Sequence, residues 1–416
     1  MGVNGAVMEV PARGMIPAAG RAIWTPPASP GVAPSVAVAP RRLRRRGWMV
    51  LGSTGRNSGK TEFACAVIRT FHREYPIIGV KITTVMDEER SCPRGGDGCG
   101  ACSTLEGDFE IGEERGAHPG KDTARMLESG ARRVFWVRCR KGRMRAALEA
   151  LERRLGRRDL VVVESNSLAQ AIEPDLFFML RNACASSIKP TAAAVMPLAH
   201  RVVVSSGHGF DLNVRHLAIM EGMWRLVEAS AAILAGGKSS RMGQDKSLLL
   251  VEGKPLIHHI YRQLQGQFDD ILVSTNDPAK HAFLGARSAP DRETGQGPLA
   301  GIASAVEAAR HERVFVVACD IPVIDLDTAK RMVVLAEDFD CVIARSSVGH
   351  EPLFAVYRKS AIPAMRAVLE AGERRISAIF SRVRTHYFDL GPAPWYRNLN
   401  TREDLAAFLG DLPSLP

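Results

Sequence analysis

Residues 229–246 read Ala-Ser-Ala-Ala-Ile-Leu-Ala-Gly-Gly-Lys-Ser-Ser-Arg-Met-Gly-Gln-Asp-Lys and form the most informative segment of the chain. The apolar run Ala231–Ala235 is typical of a buried parallel strand. Gly236 and Gly237 follow it, and glycine lets the backbone turn tightly beside a ligand. Backbone amides and cations attract anions, so this arrangement predicts a polyphosphate site. The cations of the loop are Lys238, Arg241 and Lys246.

The alternation of strands and helices continues beyond that loop. Asp270–Asn276 and Arg313–Asp320 are apolar runs that end in a polar side chain, and we predict that both are strands. Gly295–Ile302 begins a predicted helix between them. Ligands of open α/β sheets bind at the carboxyl ends of the strands, so Asn276 and Asp320 are candidate site residues. A carboxylate there also suits Mg²⁺, which proteins hold with one or two carboxylates and substrate phosphates.

The run from Leu234 to Lys246 resembles the signature of the molybdenum cofactor guanylyltransferases, and matching segments follow to the C-terminus. The resemblance implies a Rossmann-like domain that joins GMP from GTP to molybdopterin or molybdenum-molybdopterin and releases pyrophosphate. It implies Lys246 and Asp320 as catalytic residues, with Asp320 holding Mg²⁺. The residues that it assigns to GTP are Leu234, Ala235, Gly236, Lys246, Asn276, Asp291 and Asp320.

The same resemblance assigns the second substrate to two later motifs, at 371–376 and 397–401. It implies that Arg375, Asn398 and Asn400 bind molybdopterin, since arginine makes bidentate phosphate contacts and an asparagine amide can read the pterin edge. A second interpretation stays open for the later motif. Thr401 and Asp404 have the spacing of a capping box, so this segment also predicts a helix start.

The first half carries its own candidate phosphate site. Trp48–Ser53 is a predicted strand, followed by Thr54-Gly-Arg-Asn-Ser-Gly-Lys-Thr61 and a helical pattern over 62–72. This context is typical of a P-loop, in which loop amides and the lysine bind phosphates and the threonine binds Mg²⁺. Thr54 stands where the usual pattern has its first glycine. The residues expected to bind this nucleotide are Gly55, Gly59, Lys60, Thr61 and Glu164. The region more loosely resembles the P-loop adaptor of molybdopterin-guanine dinucleotide synthesis.

A cysteine-rich loop lies inside that half. Cys92, Cys99 and Cys102 have the spacing of a metal or cluster loop. Three reduced thiols in a glycine-rich loop are the alternative, because a fourth ligand would have to come from His118, Asp87 or a second chain. The remaining cysteines lie in apolar runs and are expected to pack in the core. They are Cys65, Cys139, Cys184, Cys319 and Cys341.

Length and pattern together predict α/β architecture with two doubly wound domains. The chain has 416 residues, enough for more than one core. We expect a disordered Pro-, Ala- and Arg-rich tail over 1–46, a P-loop domain over 47–226 and a guanylyltransferase domain over 227–416. A helical pattern within 207–228 marks the expected junction.

The composition limits the classes of partner that this chain is expected to bind. The formal net charge is +10, but no basic face studded with aromatic residues accompanies it, so nucleic acid is not expected. No apolar run reaches the ~20 residues needed to span a bilayer, and no secretory signal is evident, so a cytoplasmic location with reduced thiols is expected. The expected partners are GTP and molybdopterin, together with molybdopterin-loading proteins and molybdoenzyme apoproteins.

Two alternatives remain at this point. A related nucleotidyltransferase would use another base or acceptor, such as CTP with molybdopterin or a sugar phosphate. Cytidylyl relatives carry Leu-Ala-Ala-Gly where this chain has Leu-Ala-Gly-Gly at 234–237, which favours GTP. The other alternative is a GTP-binding adaptor or metallochaperone with the cysteine loop as its cargo site. Release of pyrophosphate separates the two classes.

Overall fold

A computed structural model describes residues 42–85, 105–116, 120–185, 187–236, 245–292 and 295–411. Two seven-stranded sheets organise this part of the chain, one within residues 43–205 and the other within residues 230–389. Helices pack on both faces of each sheet, so the α/β class is confirmed. Across these ranges, no helix is long and apolar enough to cross a membrane.

The first sheet has the strand order β3-β4-β2-β5-β1-β6-β7, and all neighbours are parallel except β3 and β4. The central strand β5 is buried throughout, as its continuous apolar sequence predicts. The strands are β1 (Leu43–Ser53), β2 (Ile77–Val85), β3 (Phe109–Glu113), β4 (Arg133–Arg140), β5 (Leu160–Glu164), β6 (Ile172–Asn182) and β7 (Arg201–Ser205).

Among the residues described for this half, five α-helices accompany the sheet. Helices α1 and α2 pack on one face with Met49, Leu51 and Val162, whereas α3 and α4 pack on the other face with Val50, Val80 and Val163. The helices are α1 (Lys60–Phe71), α2 (Asp122–Glu128), α3 (Met144–Glu152), α4 (Leu168–Ala171) and α5 (Pro190–Ala193).

Strand β1 begins at Leu43, inside the predicted tail of residues 1–46. Leu43 pairs with Ile172 of β6, and the Arg45 guanidinium forms an ion pair with Glu152. Part of the arginine run is therefore strand rather than tail. One of its cations, Arg45, has a carboxylate partner on α3. Residues 1–41 lie outside the described part of the chain.

The prediction of a helix within 207–228 is wrong. The segment contains a hairpin of β8 (Leu217–Met220) and β9 (Met223–Leu226). Its two turn residues, Glu221 and Gly222, have φ of 53° and 70°, which is the conformation of a tight type I′ hairpin turn. Leu217 and Trp224 pack in the core beneath the first sheet, while Ala218 and Met220 pack against the core of the second. The hairpin therefore joins the two cores.

The second sheet has the order β14-β13-β10-β15-β17-β16-β18, with β17 antiparallel to both of its neighbours. A small ladder of β11 and β12 lies outside it. The strands are β10 (Ser230–Leu234), β11 (Leu250–Val251), β12 (Lys254–Pro255), β13 (Ile271–Ser274), β14 (Arg287–Ala289), β15 (Arg313–Ala318), β16 (Cys341–Ser346), β17 (Gly349–Arg358) and β18 (Thr385–Asp389).

Helices cover both faces of this sheet as well. Side chains of α6, α8 and α10 join one core, and those of α7 and α9 join the core on the opposite face. The helices are α6 (Leu256–Leu264), α7 (Pro298–Ala308), α8 (Leu326–Leu335), α9 (Ile362–Glu370) and α10 (Arg402–Asp411).

The carboxyl ends of three parallel strands coincide at one edge of the second sheet. Leu234, the last residue of β10, is in register with Ser274 of β13 and with Ala318 of β15. The segments that follow these strands therefore leave the sheet side by side. This edge is where ligands of open α/β sheets bind.

Candidate functional site

The side chain of Lys246 joins two remote segments at this edge. Its Nζ donates to Asp320 Oδ2 at 3.0 Å and to Asn400 Oδ1 at 2.9 Å. Both ends of the ion pair are only partly buried, with side-chain exposures of 19% for Lys246 and 22% for Asp320. A cation and a carboxylate thus meet where solvent and a ligand can reach them.

Backbone hydrogen bonds hold Asp320 at the strand end. The Cys319 amide donates to Leu234 O at 3.0 Å, which ties the turn after β15 to the end of β10. The Leu399 amide donates to Asp320 O at 2.8 Å, and the Leu399 side chain is buried. Asn400 is therefore brought to Asp320 by a fixed backbone segment rather than by its own side chain.

A polar cluster orders the backbone around Lys246. This lysine begins a 3₁₀ turn over Lys246–Leu248, in which Asp245 Oδ1 accepts from the Ser247 amide at 2.9 Å and from the Ser247 hydroxyl at 2.7 Å. The Ser247 hydroxyl also lies 3.0 Å from His281 Nε2, and Asp245 forms an ion pair with Lys280. The sequence reasoning missed this support, although its Asp-Lys-Ser order predicts a capped turn.

Asn276 and Asp291 are also brought together, and they bind each other. Asn276 Nδ2 donates to Asp291 Oδ2 at 3.0 Å, and the Asp291 amide donates to Asn276 Oδ1 at 2.9 Å. The side-chain amide of Asn276 therefore uses one N–H donor and its oxygen acceptor in hydrogen bonds within the protein. Asp291 Oδ1 lies outside this pair, which makes Asp291 the better placed of the two to meet a base.

The start of α7 completes this end of the site. A Cβ on Gly301 would lie 2.9 Å from Ser274 Oγ, 3.5 Å from Asp291 Oδ1 and 3.8 Å from Leu234 Cδ2. Only a hydrogen at this position leaves the strand ends in place, so Gly301 allows the close approach. Ala235 and Gly236 directly follow Leu234; residues 237–244, including Lys238 and Arg241, lie outside the described residues.

No hydrogen bond among the described residues joins Arg375 to Asn400, and their neighbours pack in different cores. Ile376, next to Arg375, packs in the core beneath α7 and α9, whereas Leu399, next to Asn400, packs in the core on the opposite face of the sheet. Arg375 is exposed and paired with Glu373 at 2.7 Å. It borders a cavity of about 530 Å³. The cavity is lined by Pro298, His350, Pro352, Arg374, Arg375, Ile376, Ser377 and Phe380.

The capping box predicted after Asn400 is confirmed. Asp404 Oδ2 accepts from the amides of Thr401 and Asn400 at 2.8 and 2.9 Å, and Thr401 Oγ1 accepts from the Asp404 amide at 3.1 Å. These hydrogen bonds lower the pKa of Asp404, those from Thr401 and then Asn400 most. Asn398, two residues earlier, lies beside Tyr396, whose pKa is raised mainly by burial. The same set of hydrogen bonds therefore caps helix α10 and holds the backbone of Asn400 in place.

In the first half, the loop between β1 and α1 places its candidates around the start of the helix. Gly59 has φ 80°, and a Cβ there would lie 2.9 Å from the Phe210 ring, so glycine is required at this turn. Lys60 Nζ donates to Ser53 Oγ at 3.0 Å, and burial lowers the pKa of Lys60. Gly55 O accepts from the Ser58 hydroxyl at 3.0 Å.

Thr54 begins that loop, and Glu164 ends the neighbouring strand β5. Thr54 is buried, and its amide donates to Leu180 O at 2.9 Å, so this residue extends the strand at the position where the usual pattern has a glycine. Glu164 ends β5 and is 4% exposed. Burial, followed by the charge of Asp122, raises the pKa of Glu164.

The cysteine predictions divide into three groups. Cys92, Cys99 and Cys102 lie outside the described residues. Cys65, Cys139 and Cys341 are buried as expected, and burial raises the pKa of Cys341 and of the half-buried Cys319 to about 12. The prediction that Cys184 packs in the core is wrong. Cys184 is exposed because it follows the end of β6 in a turn. Within the described ranges, no three His, Cys, Asp or Glu side chains form a metal-binding group.

Comparisons with known proteins agree on the C-terminal half. A family model described as a MobA-like NTP transferase domain matches residues 231–386. The molybdenum cofactor guanylyltransferase of Vibrio campbellii is 36% identical over 197 residues, which are 46% of this chain and 100% of that protein. A probable molybdenum cofactor guanylyltransferase of Peptoclostridium acidaminophilum is 35% identical over 193 residues, covering 43% of this chain and 87% of that protein.

A solved structure also matches. It is the molybdopterin-guanine dinucleotide biosynthesis protein A from Archaeoglobus fulgidus, which is 22% identical, with a TM-score of 0.40, and covers 45% of this chain and 100% of that chain.

Proposed function

This chain belongs, through its C-terminal half, to the molybdenum cofactor guanylyltransferases, and on that basis we propose that it transfers GMP from GTP to molybdopterin. The observation that carries the proposal is the meeting of Lys246, Asp320 and Asn400 at the carboxyl ends of the strands. A terminal phosphate oxygen of molybdopterin forms a bond to the α-phosphorus of GTP, and the bond from that phosphorus to the bridging oxygen breaks. Pyrophosphate carries away the electron pair of the broken bond.

Lys246 supplies positive charge to this reaction. Its ammonium is already held by Asp320 and Asn400, and the Asp245-capped turn orders its backbone. A fixed cation needs little reorganisation when charge develops on the phosphates, which is how preorganised sites lower a barrier. Phosphoryl and nucleotidyl transfer depend mainly on positioning and charge neutralisation, so no protein nucleophile is required.

The same residues fit Mg²⁺. The Asp320 carboxylate and the Asn400 side-chain oxygen both accept from the Lys246 ammonium. Two oxygen ligands therefore converge on one position that a cation can occupy. Mg²⁺ is commonly bound by one or two carboxylates together with waters and substrate phosphates. When bound, it would supply charge stabilisation for the leaving pyrophosphate.

We assign recognition of guanine to Asp291, with Asn276 as its positioning residue. Guanine presents two neighbouring N–H donors on one edge, and a carboxylate only accepts hydrogen bonds. Asp291 Oδ1 lies outside the Asn276 pair, beside the close contact at Gly301. Cytosine presents an acceptor next to its amino group, so a carboxylate would accept one hydrogen bond and place its other oxygen against an acceptor. This supports GTP over CTP.

The acceptor is assigned to Arg375, Asn398 and Asn400. Molybdopterin carries its phosphate and its pterin at opposite ends, so it can contact separate segments. Asn400 lies beside Lys246, which suits the phosphate end near the reacting atoms. Arg375 borders the cavity of about 530 Å³, which suits the more distant part of the molecule.

A base-selectivity assay tests this function. The purified full chain is incubated with molybdopterin and each of GTP, ATP, CTP and UTP, and pyrophosphate release is measured. We expect release with GTP. Equal release with CTP would favour a cytidylyltransferase, and release that needs a sugar phosphate would favour another acceptor. Nucleotide binding without pyrophosphate release would favour the adaptor or metallochaperone.

For the first half we propose nucleotide binding at Gly55, Gly59, Lys60, Thr61 and Glu164. The turn at Gly59 followed directly by Lys60 at the start of α1 supports this assignment. A nucleotide-binding module tethered to a transferase raises the effective concentration of whatever it delivers. Molybdopterin-loading proteins and molybdoenzyme apoproteins are the partners that such a module would serve.

A further inference from the structure

Two charged residues of the first sheet project from the same face. Lys81 of β2 and Glu164 of β5 are direct partners in the parallel ladder, and paired residues of neighbouring strands point to the same side of a sheet. On each strand they continue the row of residues that begins with Ile77 and Leu160. Those two residues belong to the core beneath α1 and α2, so both charges lie on the α1 and α2 face.

The first turns of both helices carry oxygen ligands over that face. Thr61 is the second residue of α1, and Asp122 is the first residue of α2. Met126 of α2 would touch a Cβ placed on Gly79, which fixes α2 over β2 just before Lys81. The Lys81 ammonium donates to Asp122 Oδ2. Asp122 is thus held close to the ladder pair of Lys81 and Glu164.

The Thr61 hydroxyl interacts with both carboxyls. Desolvation raises the pKa of Asp122, but the contacts of Lys81 and then the Thr61 hydroxyl lower it, and the pKa is lowered overall. Burial raises the pKa of Glu164, and the Thr61 hydroxyl opposes that rise.

Glu164 leaves one oxygen without a partner at this point. No described atom forms a hydrogen bond to its Oε1, and the residue is 4% exposed. A buried carboxylate oxygen without a donor or a cation is costly, because its solvation is lost without compensation. Of the two ammonium groups that interact with Glu164, Lys60 donates to Ser53 and Lys81 to Asp122.

We propose that Asp122 completes a divalent-cation site with Thr61 and Glu164, next to the phosphates of a nucleotide bound at Lys60. The proposal rests on the proposed nucleotide binding by the first half, and it adds Asp122 as a ligand and Lys81 as the residue that positions it. One hydroxyl and two carboxylates are hard oxygen ligands, which suit Mg²⁺ or Mn²⁺ and leave positions for phosphate oxygens and water.

Mn²⁺ is the probe for this site, because its free and bound forms are distinguished by electron paramagnetic resonance. All variants are full-length chains carrying Asp320→Asn, which removes the expected metal ligand of the second half. Bound Mn²⁺ is titrated with saturating GTP, and bound GTP is counted separately by equilibrium dialysis in EDTA. Glu62→Gln is the matched control, since Glu62 adjoins Thr61 but pairs with Arg125.

We expect Asp122→Asn to weaken Mn²⁺ binding by on the order of tenfold or more, as loss of a charged ligand does, with GTP binding in EDTA retained. Glu62→Gln should bind Mn²⁺ as its parent does. Thermal unfolding of each variant checks the fold, and Glu164→Gln should show the same loss if Asp122→Asn is unstable. Unchanged Mn²⁺ binding in Asp122→Asn would overturn the assignment of Asp122.

Lys60→Ala separates the two proposals. If it lowers the amount of GTP bound while Asp122→Asn leaves Mn²⁺ binding unchanged, the nucleotide site stands and Asp122 is not a ligand. If it leaves bound GTP unchanged, the first half does not bind nucleotide at Lys60, and the site beside its phosphates is rejected as well.

Discussion

Lys246 and Asp320 are separated by 74 residues in the sequence, and Lys246 Nζ lies 3.0 Å from Asp320 Oδ2. The pair exists because β10 and β15 are neighbouring parallel strands of one sheet, so the loops after both strands share one edge. A 3₁₀ turn holds the lysine, and a backbone hydrogen bond from Leu399 holds the aspartate. The polar groups of the proposed transfer site are therefore positioned before substrate arrives.

Asp320→Asn should lower the rate of guanylyl transfer by on the order of 100-fold or more, because the charge that holds Lys246 and suits Mg²⁺ is lost. Initial rates of pyrophosphate release at saturating Mg²⁺ measure this effect. Glu337→Gln is the matched control, since Glu337 pairs with Arg313 at the other end of the same strand. A near-normal rate for Asp320→Asn would place the metal elsewhere.

Asp291→Asn should reduce the preference for GTP over CTP by on the order of 100-fold, because an amide offers one acceptor where the carboxylate offers two and leaves buried groups mismatched. The ratio of kcat/KM values for the two nucleotides gives the effect. Asp277→Asn removes a neighbouring charge outside the Asn276–Asp291 pair and should keep the preference. Unchanged selectivity in Asp291→Asn would assign guanine recognition to other residues.

Acidification should destabilise the region between the two sheets through His216. Burial lowers the pKa of His216 below its ordinary value of 6.5, and the nearby charges are Asp269, His311, Arg201 and Lys330. Because the folded pKa is depressed, the unfolded chain takes up a proton first as the pH falls. The contribution of His216 to the free energy of unfolding is therefore present above pH 6.5 and is lost below it.

Urea unfolding at pH 7.5 and at pH 5.5 tests this effect. His216→Gln should show a smaller loss of stability between the two pH values than the parent chain. His208→Gln is the control, because His208 is exposed. An equal loss in His216→Gln and the parent would show that other groups cause the acid sensitivity.

A fragment of residues 227–416 should keep guanylyl transfer but unfold more easily than a fragment of residues 214–416. The longer fragment keeps the β8–β9 hairpin, whose Ala218 and Met220 pack against the second core. Loss of that apolar contact should cost about 1–2 kcal/mol of unfolding free energy. Denaturant titration of both fragments measures the difference. Equal stability would mean that the hairpin serves the first sheet alone.

Much of the second half could be predicted from its sequence. The strands that precede Asn276 and Asp320 could be predicted because an apolar run followed by a polar side chain is typical of a parallel strand. The mutual bond of Asn276 and Asp291 could not be predicted, since it depends on how two loops meet at the sheet edge. Because of that pairing, we propose Asn276 as a support for Asp291 rather than as a base contact.

The first half was harder to predict where local signals conflicted with tertiary structure. Strand β6 was missed because Pro174 and Asp175 interrupt its apolar run; the structure accommodates them at a register shift opposite β1, where Asp175 accepts from the amides of Gly47 and Trp224. The proposed role of Asp122 could not be predicted because a helix-start aspartate is normally interpreted as a cap. The sheet register places Lys81 beside Glu164, and the Lys81 ammonium donates to Asp122.

Labelled GTP tests the central claim most directly. The full chain is incubated with molybdopterin and GTP labelled at either the α- or the γ-phosphorus, and the products are separated. We expect the α label in the molybdopterin product and the γ label in pyrophosphate, in equal amounts, with both formed more slowly by Asp320→Asn, by on the order of 100-fold or more. An α label that remains in GTP, GDP or free GMP would contradict guanylyl transfer by this chain.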